Sequence, residues 1–294
     1  MAGLSHGGEH RPPVITLTDP DDGRLDDYRD LRRPGARVRY EARAGCFIAE
    51  GLTVVRRLLE SPLRVRSVLV LDTQAWRLEG RVPADVPWYA ESREVLTGVA
   101  GFDVHRGVLA CADRPPVRDL AGVAADATTL AVLEGLNDHE NLGAIARSAR
   151  ALGVDALVLD PTCADPWYRR AVRVSMGELL TLPVVRSTAW PDDLGRLRSF
   201  GFTVAALTPA ADAVDLWDLA ADPPDRVALL LGAEGPGLSA AALAGADVRV
   251  RIPIRTDVDS LNVGHAAAVA FAALGRRHQP GRGEHDAGRS TRGW

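Results

Sequence analysis

Residues 133–159 read LEGLNDHENLGAIARSARALGVDALVL and combine a strand, a polar loop, a helix and a second strand. The apolar run that ends at Leu133 leads into the polar residues 137–141, and an amphipathic helical pattern follows them. Further along, continuous apolar strands keep alternating with amphipathic helices up to a final Ala-rich helix. Strands that are apolar along their whole length are typical of a parallel sheet with helices on both faces. The sequence therefore predicts an α/β fold with a mostly parallel sheet that begins near Thr128.

Upstream of this sheet, the chain divides at a segment rich in proline and small residues. Residues 38–113 contain helical patterns, one of them over 45–60, and apolar strand patterns, which together predict a small α/β domain. Residues 114–127 break these patterns and are interpreted as a linker to a second domain over 128–276. Residues 1–37 have little apolar periodicity and predict a flexible arm, with at most a short helix. Residues 277–294 have the same character and predict a flexible tail.

The composition is that of a globular protein with a sizeable core. Of its 294 residues, 46% are hydrophobic and 25% are charged, and no apolar run reaches the roughly 18 residues of a membrane span. The N-terminus lacks the apolar core of a secretory signal, so the sequence predicts a cytoplasmic protein without a membrane partner. The net charge of -4 gives no overall attraction to nucleic acid, and any RNA contact must come from local basic patches.

Neither a metal site nor a disulfide framework is predicted. The three cysteines, Cys46, Cys111 and Cys163, are far apart and form no CxxC pair, which favours buried or inert thiols. The pair His139-Glu140 has no second histidine at metal-ligand spacing. The sequence therefore predicts chemistry without a metal ion.

Three segments place polar or glycine residues directly after predicted strands. The first is the NDHEN loop of residues 137–141, followed one turn into its helix by Arg147. The second is RVALLLGAEGPGLS, residues 226–239, whose glycines let backbone amides approach a ligand closely. The third is VRVRIPIRTDVDSLNVGHAAAVAFAAL, residues 248–274, where a polar loop precedes a helix of small residues.

Each segment alone has an ordinary structural explanation. Asn, Asp and Ser residues commonly cap helices, and Arg147 could lie on a solvated helix face. The glycines of residues 232–237 could bind a dinucleotide, yet they are spaced GxxGxG rather than GxGxxG and lie late in the domain. A nicotinamide-dependent oxidoreductase is therefore the weaker alternative. In the third segment, capping explains one residue but not the combination of a proline after the strand, a polar cluster around a single leucine, and a helix of small residues.

Taken in order, the three segments resemble the motifs of the SpoU/TrmH family of RNA 2′-O-ribose methyltransferases, within the SPOUT class. NDHENLGAIAR, residues 137–147, matches the family's Asn-x3-Asn-x-Gly-x3-Arg pattern. LLLGAEGPGLS (229–239) matches its Gly-x-Glu-Gly loop, and IPIRTDVDSLNVGHAAA (252–268) matches its Ile-Pro and Ser-Leu-Asn-Val element. FIAEG (47–51) and HRGVLA (105–110) are similar to the two ends of the family's L30e-like RNA-binding domain.

One departure from the family pattern follows the Asn-Val pair. Family members often have Ser-x-Ala-Ala there, and this chain has Gly264-His265-Ala266-Ala267. His265 is interpreted as a packing change without a catalytic role.

The resemblance implies a C-terminal domain with a deep trefoil knot, an exception to the usual rule against knotted chains. It also implies S-adenosylmethionine as cofactor, a homodimer, and an RNA substrate, 23S-type rRNA being favoured over tRNA. Cofactor contacts are implied for Leu207, Thr208, Gly232, Gly235, Ile252 and Leu261. Catalytic or site-arranging roles are implied for Arg147, Asn141, Glu234, Ser260 and Asn262.

In this family, the arginine at the position of Arg147 is associated with the ribose 2′-hydroxyl. A guanidinium is a poor base at neutral pH, so docking of a phosphate and positioning of the hydroxyl are the better interpretations. Alignment of a nucleophile with the methyl group can by itself supply on the order of 7–11 kcal/mol of barrier reduction. The reaction therefore does not need a strong base.

The stretch DPWYRRAVRVS, residues 165–175, combines aromatic residues with three arginines and predicts contacts with an RNA backbone. These predicted RNA-binding residues are Arg169, Arg170 and Arg173. A solvated helix with a half-buried tryptophan is the alternative for this stretch. For the whole chain, the alternative is a catalytically silent RNA-binding or ribosome-associated factor with the same fold, against which the intact motif residues argue.

Overall fold

The computed structural model describes residues 14–274, apart from Thr18 and Arg33. The predicted tail over 277–294 and the first part of the predicted arm, residues 1–13, lie outside the described residues. Among the described residues, no helix is long and apolar enough to cross a membrane.

The N-terminal half of the described chain is built on a five-stranded mixed sheet. Its strands are β1 (Val14–Ile15), β2 (Cys46–Glu50), β3 (Val65–Leu71), β4 (Trp88–Glu91) and β5 (Val108–Asp113). Its helices are α1 (Pro34–Ala44), α2 (Leu52–Leu59) and α3 (Arg93–Ala100), and two 3₁₀ helices span Gly23–Tyr28 and Asp72–Leu78. The strand order is β1-β4-β3-β5-β2, in which β5 runs antiparallel to both of its neighbours.

The C-terminal half is built on a seven-stranded sheet in which every neighbouring pair is parallel. The strands are β6 (Thr129–Glu134), β7 (Ala156–Leu159), β8 (Val184–Arg186), β9 (Thr203–Leu207), β10 (Val214–Asp215), β11 (Val227–Gly232) and β12 (Val248–Arg251). The helices are α4 (Leu120–Asp126), α5 (His139–Ala151), α6 (Arg169–Val174), α7 (Asp192–Ser199), α8 (Leu216–Ala221), α9 (Ala240–Ala244) and α10 (Val263–Leu274), with a 3₁₀ helix at Glu178–Leu180. The strand order is β10-β12-β9-β11-β6-β7-β8, which confirms the predicted α/β class with a parallel sheet.

Helices cover both faces of the seven-stranded sheet. Alternate side chains of a strand point to opposite faces, so β6 sends Ala131 and Leu133 into one core and Leu130 and Val132 into the other. The first core is closed by α5, α8 and α10, and the second by α4, α7 and α9. Because both faces are buried, the strands read as continuous apolar runs in the sequence.

The helix predicted over residues 45–60 is wrong in its first part. Residues Cys46–Glu50 form β2, whose five residues are all buried and pair with β5. The helix starts only at Leu52, after Gly51. Pairing with a distant strand overrides the local pattern here, because a short apolar run fits a buried strand as well as a helix.

The flexible arm predicted over residues 1–37 is wrong for its described part. Leu25, Tyr28 and Leu31 are fully buried against the five-stranded sheet. The Tyr28 hydroxyl lies 2.8 Å from Ser67 Oγ and accepts a hydrogen bond of 3.1 Å from the backbone N–H of Cys111. The charged residues of this segment pair mostly with one another, which makes its composition resemble that of a disordered chain.

The predicted linker over residues 114–127 is only partly a linker. Asp119 accepts a hydrogen bond of 2.6 Å from the backbone N–H of Gly122 and so caps α4. Leu120 and Ala124 of this helix are buried in the second core of the seven-stranded sheet. The packed C-terminal unit therefore includes α4 and begins before the predicted Thr128.

A buried cluster of charges joins the two sheets. Glu50, at the end of β2, forms ion pairs with Arg169 and, at 3.5 Å, with Arg173 of α6. The Arg169 side chain is only 12% exposed, and its guanidinium also lies 4.8 Å from the Phe102 ring. The structure therefore uses Arg169 to join the sheets, which argues against its predicted contact with RNA. Arg173 also pairs with Glu50, but its side chain is 30% exposed at the surface.

Replacing Glu50 with alanine should lower the free energy of unfolding by about 3–5 kcal/mol, since it leaves a buried guanidinium without its counter-charge. Arg169 Nε already has no hydrogen-bond partner among the described residues. Urea denaturation checks this result. The matched control is Glu60→Ala, which breaks an exposed pair with Arg81 of 3.4 Å and should cost less than about 1 kcal/mol. Equal losses in the free energy of unfolding for the two variants would contradict the assignment of Glu50 to a buried ion-pair cluster.

Candidate active site

A cavity of about 420 Å³ lies where β9, β11 and β12 end and the loop before α10 begins. In parallel sheets, ligands commonly bind at the carboxyl ends of the strands. The apolar walls of the cavity are formed by Leu207, Leu231, Ile252, Ile254, Leu261 and Val263. Its polar side chains are Thr208, Glu234, Ser260 and Asn262. All six predicted cofactor residues line this cavity.

The glycine-rich turn after β11 forms one side of the cavity. The backbone N–H of Gly237 donates a hydrogen bond of 3.0 Å to the carbonyl of Ala233, so the turn folds back on the end of the strand. A Cβ at Gly232 would lie 2.4 Å from the carbonyl carbon of Gly237 and 2.5 Å from the amide nitrogen of Leu238. Only glycine allows this close approach of backbone. Gly235 lies at the exposed tip of the turn with a φ of +87°.

Asn262 links the three sequence segments at the mouth of the cavity. Its Nδ2 donates to Asn141 Oδ1 at 2.9 Å and to Glu234 Oε1 at 2.5 Å. Its Oδ1 accepts from the backbone N–H groups of Gly264, at 2.9 Å, and His265, at 3.3 Å, and so caps α10. The start of α10 supplies donors for the Oδ1 atom, and Asn141 and Glu234 supply acceptors for the Nδ2 atom. One orientation of the Asn262 amide therefore satisfies both of these atoms.

Glu134 is a structural residue of the site that the sequence analysis missed. This carboxylate, buried at the end of β6, accepts hydrogen bonds from the backbone N–H of Ser239, at 2.8 Å, and from its hydroxyl, at 2.7 Å. It also accepts a hydrogen bond of 2.8 Å from Trp190 Nε1. Ser239 ends the glycine-rich turn and caps α9, so Glu134 fixes the far end of that turn. An acidic residue that ends an apolar strand was the available signal.

Arg147 lies outside the cavity, on the exposed face of α5. Within the described residues it forms neither an ion pair nor a hydrogen bond, so its guanidinium is available to a ligand or to a second chain. Arg170, the third arginine predicted to meet RNA, is about half exposed and lies 3.8 Å from Glu140. The structure leaves these two predictions open.

His139 has no catalytic setting. Its ring lies 4.5 Å from the ring of Tyr168, and burial lowers the pKa of this histidine, which favours the neutral ring. The three cysteines are free and buried, as predicted, and burial raises the pKa of Cys163 to about 12. Neither feature points to acid–base or nucleophilic chemistry.

Asp160, directly after β7, holds the loop beside the end of β6. It accepts hydrogen bonds from the Thr162 hydroxyl at 2.7 Å and from the backbone N–H groups of Cys163, at 2.8 Å, and Gly135, at 3.1 Å. Burial disfavours the charged carboxylate, but these hydrogen bonds outweigh burial, and the pKa of Asp160 is lowered from its usual value.

This lowered pKa predicts a pH-dependent contribution to stability. The contribution is fully present above the unfolded pKa of 3.8 and is lost as the pH falls through the lower folded pKa. Asp160→Asn should lower the free energy of unfolding at pH 7 by about 1–3 kcal/mol. The difference in the free energy of unfolding between this variant and the wild type should become smaller as the pH falls below 3.8. Urea denaturation over a pH series checks this, with the exposed Asp212→Asn as control; a difference that does not change with pH would contradict it.

The comparisons with known proteins agree with the geometry of the site. The model of the SpoU rRNA methylase family matches residues 128–272. An uncharacterized tRNA/rRNA methyltransferase of Mycobacterium tuberculosis is 48% identical over 260 residues, which cover 88% of this chain and 90% of that protein. The 23S rRNA (guanosine(2553)-2′-O)-methyltransferase RlmP of Bacillus subtilis is 28% identical over 252 residues, 84% of this chain and 93% of that protein.

A solved structure shares the fold. The AdoMet-bound rRNA methyltransferase from Sinorhizobium meliloti superposes with a TM-score of 0.75 over 91% of this chain and 99% of that one, at 23% identity. The family match covers the seven-stranded sheet, the residues that line the cavity and the three motifs. The chain belongs to the SpoU family of RNA methyltransferases.

Proposed function

We propose that this protein transfers a methyl group from S-adenosylmethionine to a ribose 2′-hydroxyl of a structured RNA. The observation that carries this proposal is the meeting of Asn141, Glu234 and Asn262, one from each motif, at the mouth of a single cavity. We further propose 23S-type rRNA rather than tRNA as the substrate. The Bacillus subtilis relative, which by its name methylates a 2′-hydroxyl of 23S rRNA, supports both choices.

The cavity fits the proposed cofactor. Its volume of about 420 Å³ lies within the usual range of roughly 300–1,000 Å³ for small-molecule sites. Leu207, Ile252 and Leu261 would hold the apolar parts of S-adenosylmethionine, and the backbone at Thr208, Gly232 and Gly235 would approach its polar atoms. When bound, this cofactor supplies a methyl group on a positively charged sulfur. The Glu234 carboxylate in the same lining is the one negative charge that the described part of the cavity offers it.

The residues of this chain align the acceptor rather than supply a strong base. Glu234 and Asn141 are held by the same Asn262 amide, which is itself fixed by the end of α10. The Ser260 hydroxyl lines the cavity and can hydrogen-bond a ribose hydroxyl there. A rigid set of polar groups of this kind lowers the barrier chiefly by holding the reacting atoms in place.

We also infer a homodimer and a trefoil knot, as the family resemblance implies. The position of Arg147, exposed and outside the cavity of its own chain, supports a site that a second chain or the RNA completes. The exposed apolar side chains of Leu261, in the cavity wall, and of Val258, three residues before it in the same loop, support the same inference. For the knot, the support is that β12, the last strand, lies between β9 and β10, and that α10 then packs against α5. We also propose that the N-terminal half is the L30e-like domain that the resemblance implies, which suits a folded rRNA, and that the protein is cytoplasmic.

Changing Asn262 to aspartate tests the three-residue network. The aspartate keeps the acceptor that caps α10 but places a carboxylate against the carboxylate of Glu234, 2.5 Å from the present amide nitrogen. Like charges at this separation repel, and a repulsion of about 1–2 kcal/mol corresponds to a loss of roughly tenfold in methyl transfer. Steady-state transfer assays check this expectation. The control is Asn262→Ser, which caps the helix and lacks the amide donor but adds no charge, so it separates the repulsion from the loss of the donor. Equal activity of the wild type and the aspartate variant would contradict the network.

The proposed reaction is tested with labelled S-adenosylmethionine and unmodified transcripts of 23S rRNA and of tRNA. We expect label in the rRNA. Label in tRNA alone would overturn the choice of substrate. Cofactor binding without label in any RNA, with bulk cellular RNA as a third arm, would favour a catalytically silent RNA-binding factor instead.

A further inference from the structure

A second cavity, of about 280 Å³, lies in the N-terminal half and is rich in positive charge. It is bounded by the start of α2, by the 3₁₀ helix Asp72–Leu78 and by the loop before β5. Arg77, His105 and Arg106 line it together with the amide side chain of Gln74. None of the described residues in its lining is acidic, and His105 lies 3.1 Å from the Asp103 carboxylate. Arg77 and Arg106 are therefore the groups that attract anions here, although the whole chain has a net charge of -4.

Arg106 is an exposed residue of the cavity lining whose side chain lies beside Gly51. A Cβ at Gly51 would lie 3.2 Å from Arg106 Cδ and 3.4 Å from Arg106 Nη1, which places the side chain directly against the start of α2. No side chain caps this end of the helix. Within the described residues, neither Arg106 nor Arg77 forms an ion pair, whereas the neighbouring Arg57 pairs with Glu178 at 2.5 Å. Two cationic groups without a carboxylate partner therefore face the same small space.

An exposed tryptophan stands beside the cavity. Trp76 is 65% exposed, and the guanidinium of the adjacent Arg77 lies 5.3 Å from its ring centroid. Proteins that bind unpaired RNA stack bases on exposed aromatic rings of this kind. Arg77 is common to the ring and to the cavity, so a base on Trp76 would have its phosphate within reach of the basic groups.

We propose that this cavity and Trp76 form a subsite for one unpaired nucleotide of the substrate RNA. Arg77 and Arg106 hold the backbone phosphate, Gln74 offers a further donor, and the base stacks on Trp76. Met176, from the C-terminal half, also lines the cavity, so the bound nucleotide lies at the junction of the two halves. The subsite thereby fixes the RNA at a set distance from the active site. The proposal rests on the proposed function only in taking RNA as the substrate.

The test compares Trp76→Ala and the double variant Arg77→Ala/Arg106→Ala with the wild type. The matched controls are Trp217→Ala, at a tryptophan 53% exposed, and Arg198→Ala, at an arginine 47% exposed in the other half. Filter binding of an unmodified 23S rRNA transcript is measured at several salt concentrations. Methyl transfer to the same transcript and affinity for S-adenosylmethionine are measured alongside.

We expect Trp76→Ala to weaken RNA binding by roughly tenfold, the usual effect of losing one stacked base. The double arginine variant should weaken binding and reduce the slope of log K against log salt by about 0.7–0.9, the share of one phosphate. The KM for RNA should rise while kcat and cofactor affinity stay unchanged, and both controls should behave like the wild type.

The outcomes separate this proposal from the proposed function. If the variants bind the transcript with wild-type affinity and salt slope, or if the controls lose as much, the subsite is wrong whatever the reaction. If the variants lose RNA affinity as expected but the wild type transfers no methyl group, the subsite stands and the proposed reaction fails. If inorganic phosphate competes for the cavity but all variants bind the RNA with equal affinity, the cavity is a site for a free anion. That result would overturn the proposal.

Discussion

Adding one methyl group to Gly232 should weaken cofactor binding by roughly 5- to 150-fold, the equivalent of about 1–3 kcal/mol of overpacking. The new Cβ would lie 2.4 Å from the carbonyl carbon and 2.6 Å from the carbonyl oxygen of Gly237. These contacts are with backbone, which cannot rotate away as a side chain would. The glycine-rich turn must then move, and with it one wall of the cavity. Isothermal titration of Gly232→Ala with S-adenosylmethionine measures the loss.

The control for this variant is Gly98→Ala. Gly98 lies in α3 of the N-terminal half, and a Cβ there meets no atom within 4 Å. This control should bind the cofactor like the wild type. Thermal unfolding of both variants establishes that the protein remains folded. A folded Gly232→Ala protein with wild-type cofactor affinity would show that the cofactor does not bind against this turn.

Replacing Arg147 with alanine should reduce methyl transfer by about 100-fold and leave cofactor affinity and stability unchanged. The side chain lies outside the cavity and has no partner among the described residues, so its removal costs less than about 0.5 kcal/mol of stability. Its proposed task is to hold the RNA, as a guanidinium can hold a phosphate in a fixed geometry. Single-turnover transfer with saturating cofactor measures the effect.

Arg150→Ala is the matched control for Arg147. Arg150 is a second exposed arginine of α5, one helical turn away and at the end of the helix. If both variants lose activity equally, the effect reflects the general charge of the helix rather than a specific role of Arg147. Loss of cofactor binding in Arg147→Ala would contradict its placement outside the cofactor site.

The residues that the family resemblance assigns to the cofactor site come together in the structure, whereas several elements around them differ from their predicted form. The residues of the three motifs follow strands of a parallel sheet, and a parallel sheet brings the ends of its strands to one edge. Leu207, Gly232, Ile252 and Leu261 consequently line one cavity although they are far apart in the chain. The resemblance to the SpoU/TrmH family implied these residues, and the sheet geometry explains why they lie together; their contact with the cofactor stays a prediction.

Interactions between distant residues account for what the sequence analysis missed. The bonds of Glu134 to Ser239 and Trp190 join residues more than 50 positions apart, and no local pattern records them. Arg169 stands in a run of arginines and aromatic residues, and only the fold places Glu50 against it. A few apolar side chains, such as Tyr28, order the described part of the arm in spite of its charged composition.

The position of the transferred methyl group tests the central claim most directly. A 2′-O-methyl group removes the hydroxyl that cleaves RNA in alkali, so a nucleotide methylated there survives as part of a dinucleotide. After reaction of 23S rRNA with labelled S-adenosylmethionine and complete alkaline hydrolysis, we predict that the label appears in alkali-resistant dinucleotides. Label in single nucleotides would place the methyl group on a base and contradict the proposed ribose 2′-O-methylation.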